Sequence, residues 1–128
     1  MRPEQIIRDL YAAFAAKDES RLRTLLSPAV EWHQCAGFPG GKNRSGVDDV
    51  LAGILGTNHS LWDEFRAETS EFLPSGDTVI VLGSYSGAHS GTGKPMQAAF
   101  CHVYRLRDGR VVRFDQVTDT APMVAAMS

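Results

Sequence analysis

The stretch FCHVYRLRDGRVVRFDQVTD, residues 100 to 119, reads as two β-strands joined by a tight turn. His102 stands in the middle of an apolar-alternating strand. Asp115, Gln116 and Asp119 lie at matching depth on the returning strand. Two registers are open. A two-residue type I′ loop at Asp108-Gly109 pairs Arg107 with Arg110 and sets His102 opposite Asp115. A three-residue loop with Gly109 left-handed pairs Leu106 with Arg110, so that His102 faces Phe114 with Gln116 diagonal to it. One residue of slip exchanges every neighbour. The second register puts Phe100, His102, Tyr104, Val112, Phe114, Gln116 and Thr118 on one face. That set is apolar and aromatic with few polar groups, as a pocket lining should be. The first register gives His102 the company of Arg113, Asp115 and Asp119, a poorer interior. The second is therefore expected, and a direct His102–Asp115 dyad is not.

Outward from this hairpin the sequence is strand-rich on one side only. TVIVLGSYSGAH (78–89) is dense in Val and Ile, and DEFRAETSEFLP (63–74) reads as a strand interrupted by a bulge. SGD and SGTGKP are turns between them. Upstream, Ile6, Ile7, Leu10, Tyr11 and Phe14 fall at helical spacing from Pro3 to Lys17, with Pro3 and Glu4 suited to a first turn. A break at Lys17-Asp18 leads to a second helix over 19–26, stopped by Pro28. AVEWHQC (29–35) alternates as a half-buried strand, Val30 and Trp32 opposite Glu31 and His33. After the loop AGFPGGKNRSG, Ser45 with Asp48 in the capping-box place starts a third helix that Gly56 ends. Helices followed by an antiparallel meander is an α+β order. Short helices cannot make a core alone, so they must cover a curved sheet, which leaves a conical pocket.

The totals exclude several classes. The chain has 128 residues, 43% hydrophobic and 22% charged, enough for one domain with a real core. A net charge of −2 gives no electrostatic case for nucleic acid or an anionic membrane. Cys35 and Cys101 are too few for a disulfide framework, which suits a reduced compartment. No apolar run approaches the ~20 residues of a membrane span or forms a signal peptide. A soluble, cytoplasmic protein is expected.

The segments IIRDLYAAFAAKD, LLSPAVEWH, RSGVDDVLAGIL, FLPSGDTVIVLGSYSG and HVYRLRDGRVVRFDQVTDT together resemble the nuclear-transport-factor-2-like superfamily, nearest to the SnoaL-like polyketide cyclases and ketosteroid-isomerase-related proteins. The resemblance covers nearly the whole chain as one domain, residues 1–128. It implies a cone of curved, mixed but largely antiparallel sheet around N-terminal helices, enclosing a hydrophobic pocket, in a homodimer. The implied chemistry is cofactor-free proton transfer beside a carbonyl. Residue by residue the match is mixed. The isomerase base position falls on Trp32, which cannot abstract a proton. Its oxyanion tyrosine falls on Leu10, beside Tyr11, and its protonated acid on His102. The cyclase histidine also falls on His102, and the cyclase base on Gln116, or on Asp115 if the hairpin gains a residue.

The candidate catalytic residues are thus His102, Asp115 and Gln116, with Gln116 suited to orienting a ligand. Tyr11, Trp32, Trp62, Tyr85, Phe100 and Phe114 are candidate ligand-binding residues, with Tyr104 a further aromatic. Trp32 would stack on a flat apolar ligand. Cys35 is expected near the pocket mouth, and His33 and His59 at the surface. The histidines lack metal-ligand spacing, and SGTGKP lacks the GxxxxGK[ST] spacing of a phosphate loop. No metal or cofactor is implied. Three readings follow: an isomerase or cyclase acting on a hydrophobic carbonyl compound, a non-catalytic binder using the same pocket, or a dimeric interaction module.

Overall fold

A computed structural model describes the backbone of residues 1–128 and the side chains except those of residues 57–59, among them His59. Helix α1 runs over Pro3–Ala16 and α2 over Glu19–Leu25. Lys17 adopts the left-handed conformation between them, its N–H returned to Phe14 and Ala13. Asp18 then caps α2 by accepting from the Arg21 N–H at 3.1 Å. The expected break at Lys17-Asp18 is therefore a C-cap and an N-cap placed back to back. Helix α2 gives way to strand β1 (Leu26–His33) at once, and Pro28 lies within that strand instead of ending the helix.

Strand β2 is the two-residue pair Arg44–Ser45, inside the stretch expected as loop. Helix α3, Val47–Leu61, passes through Gly56 and adds a turn beyond the expected end. Its first turn is held by Asp49 rather than Asp48. Asp49 accepts from the Ser45 N–H at 3.2 Å and from Arg44 at 3.3 Å, whereas Asp48 pairs with Arg23 of α2. Four long strands follow: β3 (Trp62–Ser75), β4 (Thr78–His89), β5 (Pro95–Arg107) and β6 (Arg110–Thr118). A short helix α4 (Ala121–Ala126) ends the fold. Helix α4 was not foreseen from the sequence.

The six strands form one mixed sheet in the order β2-β1-β6-β5-β4-β3, with β1 parallel to β6 and the other pairs antiparallel. The sheet curls around α1 and α3 without closing. Ile6, Ile7, Leu10 and Ala13 of α1 are buried against it. Arg8 adds a cation–π contact over Phe72 of β3, 4.0 Å from the ring centre. Two bulges in β3, one in each half, bend it around the helices.

The hairpin takes neither of the two anticipated registers. Its turn is the two-residue kind, with Asp108 and Gly109 both at positive φ (53° and 77°) and Arg107 opposite Arg110. Val112 is then an extra, unpaired residue on β6, since Leu106 faces Val111 while Arg105 already faces Arg113. That bulge moves the remaining ladder by one residue. His102 comes to lie opposite Gln116, Tyr104 opposite Phe114 and Phe100 opposite Thr118. The pocket face is the one expected, except that buried Val111 takes the place of Val112.

Candidate functional site

Between α1, α3 and the concave face of the sheet lies a cavity of about 590 Å³. Protein interiors hold few voids larger than a water molecule, so this space is a feature of the fold and not a packing defect. Its size falls within the roughly 300–1,000 Å³ usual for small-molecule sites. Trp32, Phe114, Phe38, Phe65, Ile54 and Leu55 supply most of its apolar wall. Trp32 lies stacked on Phe114 at 4.0 Å, a flat aromatic double layer made where parallel strands β1 and β6 bring these two residues into register.

One side of this wall is polar and continuous. His102, on β5, is 4% exposed and has both ring nitrogens occupied. Nδ1 meets the Tyr11 hydroxyl at 2.6 Å and Nε2 meets the Tyr85 hydroxyl at 2.5 Å. Tyr11 comes from α1 and Tyr85 from β4, so three separate elements build the triad. Tyr104 donates its hydroxyl proton to Tyr11 at 2.9 Å. Gln116 donates from Nε2 to Tyr85 at 2.9 Å, while its Oε1 accepts from the Cys35 backbone N–H at 3.3 Å. The Cys35 contact settles which way the amide points, because a backbone N–H can only meet the carbonyl oxygen. Phe100 lies flat beneath the imidazole at 3.9 Å and holds its plane.

Burial decides the protonation states. With no carboxylate in its surroundings to favour the charge, His102 is pushed down from 6.5 to about 3, so the ring is neutral at physiological pH. The Tyr11, Tyr85 and Tyr104 hydroxyls are all raised by the same desolvation and keep their protons. The result is an uncharged chain, Tyr104–Tyr11–His102–Tyr85–Gln116, set in an apolar cavity.

Of the residues anticipated, Tyr11, Trp32, Tyr85, His102, Phe114 and Gln116 line the cavity. Asp115 does not. It lies on the opposite face of β6, bound to Arg113 at 2.8 Å and Arg105 at 3.1 Å, and those guanidinium groups hold its carboxyl below the usual range. The bulge at Val112 interrupts the alternation, so that Phe114 and Gln116 join Val111 on the cavity side and Asp115 turns away from His102. Trp62 is buried at the start of β3 with its ring edge against His89, away from the cavity lining. Phe100 supports His102 and is not itself part of the lining. Cys35 is half-buried behind Gln116, and His33 is only partly exposed, near Glu31. Sequence reasoning named the tyrosines as packing or lining groups but missed their joint role. No local pattern ties position 11 or 85 to position 102. Among the described residues no group of three His, Cys, Asp or Glu side chains is arranged to hold a metal.

A six-stranded curved mixed sheet packed on N-terminal helices, with a cavity at its concave face, defines the nuclear-transport-factor-2-like fold. The family model for the SnoaL-like domain matches residues 7–114, and the chain belongs to that family. Among solved structures, it is similar to a nuclear-transport-factor-2-like protein of Burkholderia thailandensis, at 35% identity and a TM-score of 0.93 over 100% of this chain and 99% of the other. It is similar to IdmH, a candidate polyketide cyclase of Streptomyces antibioticus, at 27% identity and a TM-score of 0.81 over 99% of both chains. It also resembles TerC, co-crystallised with polyporic acid, at 25% identity and a TM-score of 0.85 over 98% of both chains. No curated protein matches the sequence.

Proposed function

We propose that this protein is a cofactor-free enzyme that binds a hydrophobic carbonyl compound in its cavity and moves protons on it, as an isomerase or cyclase does. The observation that supports this is the buried Tyr11–His102–Tyr85 triad on the wall of an otherwise apolar site. A phenol in such a place can donate to a carbonyl oxygen and stabilise the developing enol, with little reorganisation because its partners are already fixed. His102 does not act as an imidazolium acid, since burial keeps it neutral. It serves instead as a positioning and relay group between the two phenols. Gln116 orients Tyr85, and Trp32 and Phe114 offer a flat surface for an aromatic or conjugated ring. The likeness to IdmH and TerC agrees with a ligand of that kind.

A second reading, a binder without chemistry, is favoured by the acid–base inventory. Glu68 is the one carboxylate among the described lining residues, and it is exposed. One experiment separates the two. The protein is incubated in D2O with a panel of flat hydrophobic ketones, and exchange of the α-hydrogens is followed by NMR. Catalysed exchange that is lost in Tyr11→Phe and Tyr85→Phe supports the enzyme. Ligand-induced shifts without exchange support the binder.

We also propose a homodimer formed through the outer face of the sheet. There Leu82, Cys101 and Val117 lie directly opposite one another on β4, β5 and β6, with Val117 62% exposed. Arg105, Arg113 and Asp115 supply charges of both signs beside this row.

A further inference from the structure

The hydrogen-bond count of the triad specifies what a ligand must present. A neutral imidazole carries one N–H donor and one acceptor nitrogen. If Nδ1 carries the proton, it donates to Tyr11, and Tyr85 donates to Nε2. Tyr11 then receives two hydrogen bonds, from His102 and Tyr104, and its own proton is unused. Tyr85 has donated its proton and receives Gln116, and its remaining lone pair is available to the cavity, with the Thr118 hydroxyl beside it. If Nε2 carries the proton, every role reverses. Tyr85 receives His102 and Gln116 and has the free proton, and Tyr11 keeps the open lone pair. In both states one phenol is a donor to the cavity and the other an acceptor. The two are never both donors or both acceptors.

From this we infer that the ligand is a conjugated enol–ketone with its oxygens held apart, such as the enol of a cyclic 1,3-diketone, and that the triad exchanges its two tautomers. The inference rests on the reading of the cavity as a site for hydrophobic carbonyl compounds. A cyclic enol–ketone offers one C=O acceptor and one O–H donor on carbons 1 and 3 of one ring, pointing away from each other. Its ring prevents the internal hydrogen bond that an open-chain enol would form.

The proton movement balances. With Nδ1 protonated, the ligand O–H donates to Tyr85, Tyr85 to Nε2, Nδ1–H to Tyr11, and Tyr11 to the ligand carbonyl. Each proton advances one step. The ligand O–H bond to the enol oxygen breaks and a new O–H bond forms at the former carbonyl. The electron pairs shift along the O=C–C=C–O unit, so C=O and C–OH exchange places. His102 ends in its other neutral tautomer. No charged group forms at any point, which suits a site that suppresses ionisation of all four members. The extra donors, Tyr104 on one phenol and Gln116 on the other, make the two ends equivalent in hydrogen-bond number.

The test compares three ligands of matched shape by calorimetry, at a pH where the diketone is un-ionised and circular dichroism shows the protein folded: 5-phenyl-1,3-cyclohexanedione, its O-methyl enol ether, and 3-phenylcyclohexanone. The enol–ketone is expected to bind about tenfold or more tightly than either relative, since each leaves a buried polar group unpaired. Tyr11→Phe and Tyr85→Phe should each reduce that preference to about twofold or less. If a variant does not fold, the comparison of the three ligands on the wild-type protein still decides. Equal affinity for all three overturns this inference while leaving the cavity a site for hydrophobic ketones. Binding of none of them overturns both.

Discussion

His102 is kept neutral by its burial, and this links the residue to the stability of the whole fold. Its pKa is about 3 in the folded protein and ~6.5 in the unfolded chain. Between those values the unfolded state binds the proton and the folded state does not. The stability is therefore complete above about pH 6.5 and falls as the pH drops toward 3, by on the order of 4 kcal/mol across the window. Urea unfolding followed from pH 7 to pH 4 should show this slope, and His102→Gln should flatten it. Tyr85→Phe removes the acceptor of Gln116 and the partner of Nε2 together, and is expected to cost about 1–3 kcal/mol by the same measurement. Asp115→Asn lies at the other extreme. Its ion pairs with Arg105 and Arg113 are largely solvent-facing, so the loss should stay below about 1 kcal/mol and leave ligand affinity unchanged. A large effect of Asp115→Asn on catalysis would contradict the placement of this residue outside the cavity.

At the scale of elements, the site depends on irregularities in otherwise regular strands. Gly83 of β4 sits where the β3 backbone crosses closely. A Cβ there would lie 2.2 Å from the Glu68 carbonyl oxygen and 2.6 Å from the Phe100 ring. The first obstacle is backbone and cannot step aside. Gly83→Ala is accordingly expected to destabilise by about 2–4 kcal/mol and to shift Phe100 from beneath His102, measurable as a lower urea midpoint and a changed His102 ring shift. The Val112 bulge works in the same way on register. Without it the type I′ turn would set His102 opposite Asp115 and carry Gln116 to the outer face. The caps around Lys17-Asp18 are a third case. They redirect the chain between α1 and α2 so that α1 lies along the sheet and carries Tyr11 to His102.

For the molecule as a whole, the cavity and the outer sheet face pose opposite demands. The cavity leaves apolar groups without partners inside the fold, so a ligand that fills it should raise the melting temperature in a concentration-dependent way. The outer face leaves apolar groups in water. Val117→Glu places a charge in the middle of the Leu82–Cys101–Val117 row. Light scattering should then report one chain in the variant where the wild type gives two. A wild type that is monomeric at working concentration would remove the proposed interface.

The sequence by itself determined the architecture, because that rests on patterns that are local. The 3.6-residue spacing of Ile7, Leu10 and Phe14, the turn chemistry of Asp108-Gly109 and the two-residue alternation of 78–89 each act within a few residues. Local pattern also favoured the apolar, aromatic set of His102, Phe114 and Gln116 on one face over a His102–Asp115 pair, although the register that brings them together depends on the bulge at Val112. It did not carry the extension of α3 past Gly56, where packing outweighs the cost of a helical glycine. Nor did it carry the bulge at Val112, which neither neighbouring residue announces. The triad belonged wholly to the tertiary structure. Tyr11, Tyr85 and His102 come from a helix and two strands up to 91 positions apart, and burial alone sets their protonation. Hydrogen-bond direction and desolvation are properties of the surroundings, and those exist only once the chain has folded.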